Sequence, residues 1–112
     1  MPPALFAGFR VSDLEAAVDW FSRLLGADPV MRPNDDEAVW EIAEDRFVYV
    51  ERSPGRAGHS HATVFLDDLD GFLTTAGFAP AATETYDTGV RKVIFRDPDG
   101  NEFGVGGGPP PS

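Results

Sequence analysis

Hydrophobic and polar positions change their spacing early in the chain, and the change predicts a strand followed by a helix. The segment "LFAGFRV" is a short apolar run typical of a strand, whereas "SDLEAAVDWFSRLLG" has apolar residues at helical spacing. Ser12 is predicted to cap this helix together with Glu15, and Gly26 is predicted to end it. The apolar stripe of the helix comprises Leu14, Ala17, Val18, Phe21, Leu24 and Leu25.

Short strand-like runs follow the helix, and the same order of elements then starts again. After the linker "SPGRAGHS" come the strand "HATVFLD" and the short helix "DLDGFLTTAG", which Asp67 or Asp68 is predicted to cap. Each half therefore predicts a β-α-β-β-β unit. The remaining predicted strands lie around residues 29–33, 38–43 and 46–52 in the first half and near 81–86, 89–96 and 102–106 in the second.

One shift of 55 residues superposes the two halves in pattern. It places "VSDLE" at 11–15 over "LDDLD" at 66–70, and the turn "AEDR" at 43–46 over "PDGN" at 98–101. The sequence thus predicts an internal duplication within one domain, of class α+β. The predicted bounds are 1–106 for the domain, 4–52 for module one, 53–60 for the linker, 61–106 for module two and 107–112 for a flexible tail.

The chain is strongly acidic, and its negative charge limits the classes of binding partner. Nineteen Asp and Glu residues against nine Lys and Arg give a formal net charge of -10, which repels nucleic acid and anionic membranes. The acidity either keeps the surface soluble or attracts a cationic ligand. The chain has no cysteine, and its start has neither the basic region of a signal peptide nor a long apolar run. We expect a soluble, cytoplasmic protein with no nucleic-acid or membrane partner.

Two segments resemble the vicinal oxygen chelate superfamily, the group of glyoxalases, extradiol dioxygenases, fosfomycin-resistance enzymes and bleomycin-resistance proteins. "FRVSDLEAAVDWFSRLLG" is similar to the first strand and helix of that family, and "FRDPDGNEFGV" is similar to its last hairpin. With the repeat, the resemblance covers residues 4–106. It implies that each module curls its sheet into half of a cup, and that metal ligands come from the first and last strands of each module.

Carried over position by position, the resemblance implies four ligand positions, of which one holds a credible ligand. They fall on Phe6, Tyr49, His61 and Gly104, and only the histidine is a usual metal ligand. Catalytic metal sites use three protein ligands or more, so the resemblance implies a fold without its metal. The alternative is a displaced divalent-metal site built from His61 with Glu51 and Glu102, which alternation places on the same strand faces.

Aromatic residues occupy the positions where metal ligands are missing. Alternation places Phe6, Phe47 and Tyr49 on the cup side, with Glu51 and Glu102 beside them. Such a pocket favours a planar or cationic ligand, held by stacking and by cation-π attraction. The other interpretation is that the phenylalanines fill space in the core.

Further candidate residues have two or more interpretations. Trp40 either lines the mouth of the cup or packs under a helix, and His61 is a ligand contact, a remnant of a metal site or a strand residue without function. Arg91 and Lys92 form a solvated edge or contact an anionic group of a ligand. Asp97 and the residues after it predict a tight turn, since "DPDG" has the residues of one.

The sequence therefore predicts a metal-independent protein, without a cofactor, that binds a small molecule. Its ligand is expected to be cationic or aromatic, and the most specific form of this prediction is an antibiotic. The resemblance implies a homodimer. The alternative is a metal-dependent lyase, isomerase or dioxygenase of the glyoxalase type with displaced ligands. The ligand-binding residues predicted for the first function are Phe6, Trp40, Phe47, Tyr49, Glu51, His61 and Glu102.

Overall fold

A computed structural model describes residues 3–108, which form seven strands and two α-helices. The predicted tail falls partly outside this range: Gly107 belongs to the last strand, and residues 109–112 lie outside the described residues. No helix in residues 3–108 is long and apolar enough to cross a membrane. The elements are β1 Leu5–Val11, α1 Leu14–Leu25, β2 Glu37–Ala43, β3 Arg46–Arg52, β4 His61–Phe65, α2 Leu69–Thr75, β5 Ala82–Thr85, β6 Arg91–Arg96 and β7 Glu102–Gly107.

The strands form two mixed sheets, which confirms the predicted α+β class. Sheet one has the order β1-β3-β2, and sheet two has the order β4-β7-β6-β5. In each sheet the first and last strands of a module are parallel neighbours. The pairing of Phe6 with Phe47 recurs as the pairing of His61 with Glu102, shifted by 55 residues. The repeat read from the sequence is thus present in the strand register.

The prediction of a strand around residues 29–33 is wrong. This segment makes only one isolated antiparallel bridge, between Met31 and Val39, so sheet one has three strands where sheet two has four. Pro29 and Pro33 lie at either end of the segment and have no N–H to donate. Proline at both ends therefore limits the segment to one bridge.

The start of α1 also corrects the sequence prediction. Asp13, not Ser12, is the N-cap, and its Oδ1 accepts a hydrogen bond from the backbone N–H of Ala16 at 3.1 Å. Asp68 caps α2 in the same way, 55 residues later. Gly26 ends α1 in the left-handed conformation with φ of 71°, as predicted.

The helices cover one face of each sheet, and the two cores merge into one. Phe9 of β1 lies 5.8 Å from Phe103 of β7 between ring centroids, and Phe21 of α1 lies 6.2 Å from the same ring. The chain measures 47 × 35 × 22 Å, and one helix layer of about 10–12 Å with one sheet accounts for the shortest dimension. The sheet faces turned away from the helices carry exposed side chains such as Phe6 and Phe65, and we call them the open faces.

The two modules are joined where β1 ends and β7 begins. Asn101, which is 1% exposed, donates from Nδ2 to the carbonyl of Arg10 at 2.7 Å and accepts at Oδ1 from the N–H of Ser60 at 2.9 Å. Asp99 adds a second link, since its carboxylate accepts from the hydroxyl of Ser12 at 2.6 Å and from its N–H at 3.0 Å. The turn "DPDGN" thus fixes module two against module one.

Buried Asp97 organises that turn. Its Oδ1 accepts from the N–H groups of Asp99 and Asn101, and its Oδ2 accepts from Nδ2 of Asn101 at 2.8 Å. Burial raises the pKa of Asp97, although these hydrogen bonds from Asn101 and Asp99 act in the opposite direction. The side chain is therefore structural, and it holds the amide that bridges the modules.

Candidate functional site

The open face of sheet one carries an exposed group of aromatic rings. The rings of Phe6 and Phe47 are stacked, with centroids 4.4 Å apart and planes 9° from parallel. Tyr49 meets Phe6 edge to face at 6.4 Å. Phe6 is 48% exposed, which is a large fraction for a phenylalanine in a sheet. We call Phe6, Phe47 and Tyr49 the aromatic face.

Strand alternation explains why these rings point to solvent. Phe9, Val48 and Val50 occupy the opposite parity on the same strands and are buried under α1. A glycine completes the arrangement: a Cβ at Gly8 would lie 2.5 Å from Cζ of Tyr49, so the tyrosine ring lies directly over the backbone there. The structure thus places Phe6, Phe47 and Tyr49 together on one face, as alternation had placed them.

Carboxylates surround the aromatic face. Glu51 lies on the same face and is paired with Arg10 at 3.4 Å, so part of its charge is compensated. Glu41 stands directly opposite Phe47 across the β2–β3 pair, yet the sequence analysis did not select it. Two features of the sequence could have indicated Glu41. It alternates with Trp40 along β2, and the short hairpin between β2 and β3 brings it opposite β3. The aromatic face therefore lies beside a second acidic side chain, whose Oε2 accepts a hydrogen bond from the backbone N–H of Asp45 at 3.3 Å.

Trp40 does not belong to this face. It pairs with Val48 on the helix side of sheet one and is 2% exposed. Its ring lies 5.7 Å from Phe21, and its indole N–H donates to the carbonyl of Ala27 at 3.0 Å. Of the two interpretations offered by the sequence, packing under a helix is the one that the structure shows.

Two concave regions lie near these elements. A pocket of about 190 Å³ adjoins the aromatic face and is lined by Gly8, Phe9, Arg10, Tyr49, Glu51 and Ser60. A larger cleft of about 720 Å³ separates the modules, and we call it the inter-module cleft. Its walls include Leu25, Trp40, Ile42, Val64, Phe72 and Phe103. This volume is in the range of small-molecule sites, so the cleft competes with the aromatic face as a binding region.

His61 and Glu102 lie on the open face of sheet two, as neighbours across β4 and β7. Glu102 is engaged by Arg96, whose Nε lies 3.1 Å from its Oε2. At the position where the resemblance implies a glutamate, Gly104 is in close contact with other side chains. A Cβ there would lie 2.7 Å from Oγ1 of Thr63 and 2.9 Å from Cε of Lys92.

The residues present do not fit a catalytic metal. Phe6 and Gly104 offer no donor atom, and the glutamates of the displaced-site alternative are each paired with an arginine. Within residues 3–108, the structure brings together no group of three His, Cys, Asp or Glu side chains that could hold a metal ion. Glu51, His61 and Glu102 are thus not assembled into one site within the chain.

Comparisons with known proteins agree on the fold. The glyoxalase/bleomycin resistance protein from Catenulispora acidiphila DSM 44928 is 44% identical, with 96% of this chain and 100% of that chain covered and a TM-score of 0.92. A bleomycin-binding protein complexed with bleomycin is 21% identical over 96% of this chain and 98% of that chain, with a TM-score of 0.72. The lactoylglutathione lyase from Agrobacterium tumefaciens is 18% identical over 96% of each chain, with a TM-score of 0.72. No curated protein sequence matches the chain.

The two distant neighbours show that one fold serves both a binding protein and a lyase, so they leave the reaction open. A sequence profile identifies the family itself. The match extends over residues 5–105 and includes both modules. The chain belongs to the Glyoxalase/Bleomycin resistance protein/Dioxygenase superfamily.

Proposed function

We propose that this protein binds a cationic aromatic small molecule on its aromatic face, without a metal, and sequesters it in the cytoplasm. The observation that supports the proposal is the stacked pair of Phe6 and Phe47, which turns a flat aromatic surface to solvent. A planar ligand extends such a stack. Each aromatic pair contributes about 0.5–1.5 kcal/mol beyond the area it buries.

Charge selects the ligand further. Glu41 lies opposite Phe47, and Glu51 lies opposite Arg10 on the same face. A cation over an aromatic ring gains about 0.5–1 kcal/mol at an exposed site, and the net charge of -10 adds long-range attraction. An anionic aromatic compound of the same size is repelled by these negative charges, so we expect it to bind more weakly.

A homodimer is part of the proposal. The aromatic face is open in a single chain, so enclosing a ligand on it requires a second surface. Exposed apolar side chains elsewhere, among them Val30 and Met31 between α1 and β2, enlarge the surface that a second copy would cover. Sedimentation of the purified protein tests this part directly, because a monomer at all concentrations would contradict it.

Titration calorimetry with proflavine, a planar cationic dye, tests the binding proposal in buffer that contains a chelator. The sulfonated dye 8-anilinonaphthalene-1-sulfonate provides an aromatic probe of opposite charge. We expect proflavine to bind and the Phe6→Ala and Phe47→Ala variants each to weaken binding about tenfold, which corresponds to about 1.4 kcal/mol. Phe65→Ala is the matched control, since Phe65 is a 64% exposed phenylalanine on sheet two.

A further variant separates the aromatic face from the inter-module cleft. Ile42→Trp places a large side chain in the cleft and leaves the open face of sheet one unchanged. Binding that survives this substitution but is lost in Phe6→Ala supports the aromatic face. Binding lost only in Ile42→Trp, or lost on addition of the chelator, contradicts the proposal.

A further inference from the structure

Lys92 is the only lysine in the chain, and it lies on the open face of sheet two. Its register partners are Gly106 on β7 and Glu84 on β5. Opposite charges that face each other across antiparallel strands ordinarily pair, since their Cβ atoms lie about 4.5–5.5 Å apart. Within residues 3–108, however, Lys92 forms no ion pair, whereas five arginines of the same chain each do.

The reason lies with both members of the expected pair. Glu84 accepts a hydrogen bond from the hydroxyl of Tyr86 at 2.8 Å. The stem of Lys92 turns the other way, toward β7, where Cε lies 2.9 Å from the place that a Cβ of Gly104 would take. Because Gly104 has no side chain, there is space on the open face for the stem of Lys92 to lie over β7.

A hydroxyl reaches the same place from the other side. Oγ1 of Thr63, which pairs with Gly104 across β4 and β7, lies 2.7 Å from that Cβ position. Ile94 is the other cross-strand neighbour of Gly104 and provides an apolar wall. The end of the Lys92 stem and the hydroxyl oxygen of Thr63 therefore lie close together over a glycine, beside the buried side chain of Ile94.

We propose that Lys92 and Thr63 bind an anionic group, a carboxylate or a phosphate, over Gly104 on the open face of sheet two. An ammonium donates up to three hydrogen bonds and a hydroxyl donates one, so the pair offers donors that such an anion accepts. Of the neighbouring charges, Arg96 is paired with Glu102, whereas Glu84 accepts a hydrogen bond from the neutral hydroxyl of Tyr86 and keeps its negative charge. This site lies on the other sheet from the aromatic face and does not depend on it.

The single lysine makes the experiment simple. In protein labelled with carbon-13 lysine, one ε-methylene signal reports on Lys92 alone. We expect this signal to shift and to saturate on titration with inorganic phosphate or with acetate at constant ionic strength. A saturating response to phosphate alone, to acetate alone or to both supports the site and identifies the anion class.

Matched variants assign the response to the proposed donors. Thr63→Val removes the hydroxyl and keeps the shape, and Gly104→Ala displaces the lysine stem. Each is expected to weaken anion binding about tenfold, the size of one lost hydrogen bond to a charged group. Glu84→Gln is expected to retain binding or strengthen it, and Arg56→Gln in the linker is expected to have no effect. The fold of each variant is checked by its melting temperature.

Two results would overturn the proposal. One is a shift that stays linear with both anions, since this is the response of unspecific screening. The other is a saturating shift of equal affinity in the wild type, Thr63→Val and Gly104→Ala, because the geometry over Gly104 would then be irrelevant. Loss of proflavine binding in Phe6→Ala leaves this titration unchanged, so the two proposals fail separately.

Discussion

Replacing Asn101 by alanine removes a buried side chain that links the two modules. Three hydrogen bonds are lost together: Nδ2 to the carbonyl of Arg10, Nδ2 to Oδ2 of Asp97, and the N–H of Ser60 to Oδ1. A hydrogen bond contributes about 0.5–1.5 kcal/mol net, and a buried partner left unsatisfied costs about 1–3 kcal/mol. We therefore expect the free energy of unfolding to fall by about 3 kcal/mol, and the melting temperature by more than about 10 °C.

Urea unfolding at pH 7 measures this loss by linear extrapolation. Asn34→Ala is the control, since exposed Asn34 also donates to a side chain, Oε1 of Glu37, but joins no modules. Its effect is expected to stay within about 0.5 kcal/mol. A loss below about 1 kcal/mol in Asn101→Ala would show that the inter-module hydrogen bonds contribute almost nothing to stability.

Three further predictions follow from single contacts. Asp13→Ala is expected to lower the free energy of unfolding by about 1 kcal/mol in urea unfolding, because Asp13 caps α1; an unchanged value would show that the cap is dispensable. Gly8→Ala is expected to displace the ring of Tyr49 and change its near-ultraviolet circular dichroism, and an identical spectrum would contradict the close contact. Burial raises the pKa of Asp97, so the folded state holds that proton more tightly than the unfolded state. The contribution of Asp97 is therefore complete at low pH and is lost as the pH rises through its folded pKa. The stability difference between wild type and Asp97→Asn should decrease from pH 3 to pH 7, and an increase would contradict the sign.

Alternation and capping rules predicted those features that depend on neighbouring residues. Phe6 and Phe47 lie on the open face because every second residue of β1 and β3 faces the helix, and that pattern is visible in the sequence. The αL glycine that ends α1 is likewise a local signal. The fold class followed from such local patterns together with the repeat.

Distant partners account for what the sequence could not predict. Ser12 looks like a helix cap, but its hydroxyl is taken by Asp99, 87 residues away, and the next residue caps the helix instead. Trp40 stands in a run in which Ala38, Val39 and Trp40 are all buried, so alternation could not assign its face. The contacts over Gly104 also come from two other strands, and no pattern along β7 indicates them.

Phe6 and Phe47 are proposed to form a metal-independent surface for a cationic aromatic ligand. The most direct measurement is calorimetric titration of proflavine into wild type, Phe6→Ala and Phe65→Ala in the presence of a chelator. We expect proflavine to bind wild type and Phe65→Ala with similar affinity, and Phe6→Ala about tenfold more weakly. Equal affinity for all three proteins, or binding that requires an added divalent metal, would contradict the proposal.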